Sequence, residues 1–202
     1  MTRALLFDWG GVLMRTEDYS YRYAWDDRLG LPHGSVESVV HGIPEWSSLQ
    51  LGEVDNNALY YQALSTGLGL SSKEVTVLLD DFYRGDRLNE PLINLISDLS
   101  ARGVPVGLLS NNIRELRQEI DRHNLTHLFD AIIISAEIGW VKPAPESYAI
   151  ALDKLAAAAA KTLFIDDSLA NIKGAEAVGL KGVLYSHDSE AHRTIFGWTG
   201  HG

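Results

Sequence analysis

Several polar residues stand where apolar runs of the sequence stop. The run ALLF ends on Asp8, VPVGLL ends on Ser110 and Asn111, TLFI ends on the pair Asp166–Asp167, and Lys142 follows the run AIII within GWVKPAPE. A carboxylate such as Asp8 can attack phosphorus and hold it as an acyl phosphate, which divides one hard displacement into two easier ones. Asp8 with Asp166 or Asp167 can hold Mg²⁺, a hard cation that prefers oxygen ligands and is commonly bound by one or two carboxylates plus phosphate. Ser110 and nearby backbone N–H groups can bind phosphoryl oxygens, and Lys142 can neutralise charge in a transition state and steady Asp8. Taken singly, each has an ordinary reading. Asp8 can be a buried structural group or the start of a nucleotide-binding turn, Ser-Asn-Asn is turn composition, and Lys142 fits a solvated loop. Two adjacent acids closing a buried strand are costlier to explain away, because they must cap, pair or bind metal.

The elements that must bring these residues together follow from the apolar pattern. Residues 4–7, 104–109, 131–134, 162–165 and 181–185 are continuously apolar, as strands covered on both faces are. Between them, Leu92, Leu95, Ile96 and Leu99 fall on one face of a 3.6-residue period, and Tyr148, Ala151, Leu152 and Leu155 on another, running on into the alanines at 156–160. A third helix is expected from Ser168, as N-cap, to Gly179. Alternating strand and helix predict an α/β fold, a parallel sheet between helical layers. The carboxyl ends of such strands share one rim, so Asp8 and Asp167 can meet.

Residues 15–88 break the rhythm. They are too long for one crossover and read as several helices parted by Gly and Pro, with no strand. We expect a helical cap there, inserted at the rim where open α/β sheets bind ligands, on a core of residues 1–14 and 89–202. The cap is rich in aromatics, most of them expected to pack. Trp46, at a Gly/Pro break, and His41 beside it are the candidate substrate contacts, while Arg22 and Arg28 read equally as substrate contacts or as solvated helix residues.

The chain of 202 residues carries a net charge of −10, with 46% hydrophobic and 22% charged residues and no cysteine. That charge argues against general affinity for nucleic acid or an anionic membrane, but not against a small phosphorylated metabolite, whose local partner is a cation. No basic leader and no membrane-length apolar run are apparent, so a cytoplasmic location is the expectation. Ile195, Phe196 and Trp198 are expected to dock the C-terminal segment on the core, and the chain to be a monomer or weak homo-oligomer.

In order and spacing, FDWGGVL, LLSNN, GWVKPAPESY and FIDDSLANIKGA resemble the four motifs of the haloacid dehalogenase-like hydrolase superfamily, in its phosphatase-type branch with a helical cap after the first motif. The resemblance spans nearly the whole chain. It implies a three-layer Rossmann-like core with a small all-helical cap, and a Mg²⁺-dependent phosphomonoester hydrolase acting through an aspartyl-phosphate on a small organophosphate such as a sugar phosphate. It makes Asp8 the nucleophile and Lys142 its catalytic partner. It assigns Trp9, Ser110, Asn111 and Lys142 to phosphate, and Asp8, the Gly10 carbonyl, Asp166 and Asp167 to metal. Asn171 and Gly174 would hold the fourth loop and its helix.

One position departs. Phosphatases of this kind usually carry a second aspartate two residues after the nucleophile, as general acid and base; here it is Gly10. Such assistance is worth about 10²–10⁴-fold. Three readings follow: a phosphatase with a substitute acid, Glu17 or Asp18 among the candidates, or with a good leaving group; a phosphate-binding or regulatory protein of weak or absent activity; or a 2-haloacid dehalogenase, disfavoured because Asp166–Asp167 stands ready for a metal that reaction does not need. Response-regulator receivers also combine acids, a Ser/Thr and a lysine, but with the acidic pair on the first strand.

Overall fold

The five apolar runs form one parallel sheet, and the residues between them supply its helical layers. The computed structural model describes residues 3–54, 56–186 and 189–199. The chain runs β1 (Ala4–Phe7), β2 (Met14–Thr16), α1 (Ser20–Leu29), α2 (Ser35–Gly42), α3 (Pro44–Gln50), α4 (Ala58–Leu68), α5 (Ser72–Phe82) and β3 (Asp86–Leu88). It continues through α6 (Glu90–Ala101), β4 (Val106–Ser110), α7 (Leu116–Arg122), β5 (Ala131–Ile134), α8 (Ser135–Ile138), α9 (Pro145–Lys154), β6 (Thr162–Asp166), α10 (Leu169–Ala177), β7 (Lys181–Leu184) and α11 (Ser189–Trp198). The main sheet has the order β5-β4-β1-β6-β7, so β1 is central and Asp8 follows it between the ends of β4 and β6.

Both sheet faces are covered. Leu5 and Phe7 belong to one apolar cluster, with Leu92, Ile96 and Leu99 of α6, while Ala4 and Leu6 belong to another, with Tyr148 and Ala151 of α9 and Ile172 and Ala175 of α10. This double coverage explains the unbroken apolar runs. The C-terminal segment docks as expected at two of three positions: Ile195 is fully buried and Trp198 Nε1 donates to the Ala4 carbonyl, whereas Phe196 is exposed. No described helix is long and apolar enough to cross a membrane.

The insert is built from α1–α5 around its own apolar cluster, which includes Trp25, Val40, Trp46, Leu64, Leu78 and Phe82. Helix α5 starts with a complete capping box between Ser71 and Glu74. Two sequence expectations need correction here. The roots of the insert, read as strandless, pair as an antiparallel ribbon of β2 and β3, with Met14 opposite Leu88 and Thr16 opposite Asp86. Three-residue strands are too short to show a period of two in the sequence. Arg22, open between a substrate-facing and a solvated reading, is instead buried: its guanidinium donates to the Phe82 carbonyl, Glu37 and Asp86, and so ties α1 to α2, α5 and the ribbon.

The alanines at 156–160 do not extend α9. The helix closes at Lys154, where Ala157 N donates back to the Leu152 carbonyl and Ala156 adopts a φ of +49°. Tertiary demand overrides propensity at this point, because Leu155 is buried and the chain must turn back into β6.

Candidate active site

Lys142 lies between two carboxylates at the centre of the rim. Its Nζ is 2.7 Å from Asp8 Oδ1 and 2.7 Å from Asp166 Oδ2, and all three side chains are nearly or wholly buried. Asp8 is held further by the backbone N–H of Trp9, which donates to Oδ1 at 2.7 Å. Asp166 is held by Ser168 N at 2.8 Å and by Asn171 Nδ2 at 3.1 Å from both oxygens. Ser168 occupies the N-cap position of α10 without using its hydroxyl as a cap; the carboxylate that meets its N–H is Asp166.

Burial raises Asp8 from its ordinary 3.8 to about 6; Lys142 opposes the rise and the charge of Asp166 adds to it. Asp167, at the exposed mouth, completes a cluster with Asp8 and Asp166 whose ligand oxygens all lie within 4.8 Å of one another. The cluster is an all-oxygen set of three carboxylates, two of which share the Lys142 ammonium. That chemistry fits a hard divalent cation such as Mg²⁺.

The strand ends place the remaining candidates unequally. Ser110, at the end of β4 beside β1, is 2% exposed on the same rim. The side chain of Asn111 has a structural job beside any role of its backbone N–H. Its Nδ2 donates to the Lys142 carbonyl at 2.8 Å and its Oδ1 accepts from Lys142 N at 2.7 Å, so the amide clamps the lysine loop. Trp9 buries its indole in the core and gives its N–H to Asp8. Asn171 and Gly174 hold the fourth loop as expected. Asn171 bonds Asp166, and a Cβ on Gly174 would lie 2.7 Å from Pro143 Cβ, so glycine lets α10 approach the lysine loop.

Gly10 is exposed, and a Cβ built on it meets nothing within 4 Å. Neither proposed substitute acid is turned to the rim by its described contacts. Glu17 accepts from Arg15, and Asp18 accepts from Ser20, whose hydrogen bonds hold its carboxyl below the usual value. Trp46 is buried in the insert, with its ring beside His41 and Tyr60, so its described contacts are packing ones. His41 has an open edge, but its ring lies tilted against Trp46 and edge-to-face with Phe82. That packing, together with the charge of Arg22, lowers its imidazole to about 4 and leaves it neutral near pH 7.

Two supporting residues carried no signal in the sequence. Asn89, buried at the root of the insert, donates from Nδ2 to the Val12 carbonyl and the Tyr185 hydroxyl, fixing the loop after Asp8. Gln50, at the end of α3, donates to the carbonyl of Asn111 at 2.9 Å. Each forms a long-range bond that only the folded chain creates.

Known proteins bear on this geometry. The chain is 29% identical over 196 residues to a sesquiterpene phosphatase of Aspergillus oryzae, a match covering 94% of this chain and 92% of that protein. It is 27% identical to the bifunctional epoxide hydrolase 2 of Rattus norvegicus over 94% of this chain, but spans only 36% of that longer protein. Among solved structures, a haloacid dehalogenase-family enzyme of Bacteroides thetaiotaomicron, in complex with magnesium and inorganic phosphate, superposes with a TM-score of 0.76 at 20% identity; the match covers 96% of this chain and 99% of that one. The family model for haloacid dehalogenase-like hydrolases matches residues 2–179, a span holding all four strand-end motifs, and the chain therefore belongs to the haloacid dehalogenase-like hydrolases.

Proposed function

We propose that the protein is a Mg²⁺-dependent phosphomonoester hydrolase that works through an aspartyl-phosphate on Asp8. The observation that carries the reading is the placement of Lys142 Nζ at 2.7 Å from both Asp8 and Asp166. The lysine lowers the cost of bringing a phosphate dianion to a buried carboxylate and keeps Asp8 oriented for attack. Mg²⁺ held by Asp8, Asp166 and Asp167, with the Gly10 carbonyl as a further candidate ligand, supplies charge neutralisation at the phosphoryl oxygens.

In the first step Asp8 attacks phosphorus and the bond from phosphorus to the leaving oxygen breaks; the departing alcohol takes its proton from solvent, since Gly10 has none to give. In the second, water attacks the same phosphorus and gives a proton to solvent, the bond to Asp8 breaks, and phosphate leaves with the carboxylate restored. Ser110 and backbone N–H groups of the rim, that of Asn111 and, shared with Asp8, that of Trp9 among them, hold the phosphoryl oxygens. We assign residues 1–14 and 89–202 to the chemical core and 15–88 to a cap that selects the alcohol. Similarity to a sesquiterpene phosphatase supports an organic monophosphate and widens the candidates from sugar phosphates to apolar alcohol phosphates.

Gly10 favours a second reading, a protein that binds phosphate ligands with weak or no turnover. The cluster of three carboxylates opposes the dehalogenase reading, because it would repel a haloacid carboxylate. Release of phosphate from a panel of phosphomonoesters, with Mg²⁺ and with EDTA and with D8N as the blank, separates these. Metal-dependent release absent from D8N supports the hydrolase; binding of phosphate without release on any compound supports the second reading.

A further inference from the structure

The insert reaches the lysine through two residues. Gln50 Nε2, at the end of α3, donates to the carbonyl of Asn111 at 2.9 Å. The side-chain amide of Asn111 holds the backbone of Lys142 from both sides, at 2.7 and 2.8 Å, and Lys142 Nζ reaches Asp8 and Asp166. Every link is a polar contact of ordinary length, and no other polar side chain of the insert is described as bonding the backbone of this strand end.

The docking that brings Gln50 to Asn111 is close. Gly52, two residues on, has a φ of +68°, and a Cβ there would lie 2.2 Å from the Ala136 carbonyl of α8 and 3.1 Å from a guanidinium nitrogen of Arg114. Ile113, just past Asn111, packs on the apolar cluster of the insert. The insert therefore meets the core at the segment that carries the lysine clamp.

We propose that Gln50 is a positioning residue that makes docking of the insert a condition for correct placement of Lys142. When the insert is docked, the Gln50 amide fixes the Asn111 carbonyl, and with it the clamp on Lys142. When the insert lifts, that bond is lost, the clamp loosens, and the ammonium moves off its place between the carboxylates. Turnover is then confined to the closed, drier site, where electrostatic stabilisation is strongest. This inference rests on the hydrolase reading for its kinetic consequence, but not for its structural one.

Three variants separate hydrogen bonding from packing. Gln50→Glu is nearly isosteric but its carboxylate cannot donate to a carbonyl; Gln50→Ala removes the contact; Gln50→Lys restores a donor. Q50E and Q50A are expected to lower kcat about tenfold or more, with a smaller change in KM, and Q50K to recover most of the loss. Amide hydrogen exchange at Lys142, whose N–H is held by Asn111, should quicken in Q50E and Q50A but not in Q50K. Gly52→Ala, which pushes the insert off Ala136, should quicken the same amide. Unchanged Lys142 exchange in Q50E and G52A overturns the proposal, and so does quickened exchange with wild-type kcat. Absence of turnover in the wild-type protein would defeat the hydrolase reading alone, because the exchange measurement still decides whether Gln50 acts on Lys142.

Discussion

Gly11 and Asp167 meet more closely than any side chain on residue 11 would permit: a Cβ built on Gly11 lies 1.9 Å from Asp167 Oδ2. Residue 11 also has a φ of +73°, where a side chain is strained in any case. The two glycines after Asp8 thus differ in kind. Gly11 is demanded by the exposed acid of the metal cluster, whereas Gly10 stands in open space. Of the two glycines that break the first apolar run, only Gly11 answers to the approach of the segments that follow β1 and β6.

Asp167→Asn should weaken Mg²⁺ binding at least about tenfold, because it removes one oxygen charge from the cluster at its exposed member. Gly11→Ala should weaken it similarly by displacing the same carboxylate. Titration calorimetry reads both, and a melting temperature close to wild type in D167N shows that the loss is local. Unaltered affinity in D167N would remove that residue from the metal site.

Asp8→Asn should retain the fold and lose turnover by about 10³-fold or more, as expected when a nucleophile is replaced by an amide. The change keeps the shape of the side chain and its bond from Trp9, so Mg²⁺-dependent phosphate release is the sensitive readout. Full activity in purified D8N would overturn the covalent mechanism.

The raised carboxyl of Asp8 makes Mg²⁺ binding depend on pH. With its pKa moved from 3.8 to about 6 in the metal-free fold, Asp8 holds a proton below pH 6, which the cation must displace. The apparent Mg²⁺ affinity should therefore fall by about tenfold per pH unit below 6 and level off above it. The linked stability has the opposite slope. The fold binds this proton more tightly than the unfolded chain does, so the metal-free protein loses the Asp8 contribution as pH rises from about 4 to about 6. Calorimetric titrations at pH 5 and pH 7 check the first statement, and equal affinities at both would contradict it.

The strands of the main sheet and the rim residues were readable because burial on both faces leaves an unbroken apolar run, and each run ends on its polar residue. Arg22, Asn89 and Gln50 were not readable. Their partners lie far along the chain, with Asp86 meeting Arg22, Tyr185 meeting Asn89 and Asn111 meeting Gln50, and no local pattern marks such a pairing. The clamp made by the Asn111 side chain was hidden for the same reason, because its amide meets the backbone of Lys142 in another loop. The alanine run failed in the other direction, since strong helix propensity yielded to a turn that Leu155 anchors.

Gly10→Asp tests what the missing carboxylate costs. A Cβ at residue 10 meets no atom within 4 Å and its φ lies outside the left-handed region, so the backbone and Cβ of an aspartate are accommodated there. Its carboxyl would stand two residues from the nucleophile, where it can protonate a leaving alkoxide and then take a proton from the attacking water. General acid–base help of this type is worth about 10²–10⁴-fold in a tuned site; in a site not otherwise shaped for it, a rise of about tenfold in kcat is the expectation. The gain should be large for alkyl phosphates, whose leaving groups need a proton, and small for p-nitrophenyl phosphate, whose leaving group does not. A gain equal on both substrates would mean that the new carboxylate acts through the metal cluster instead of the leaving group. A fall on both would mean that the native site depends on an open position at residue 10.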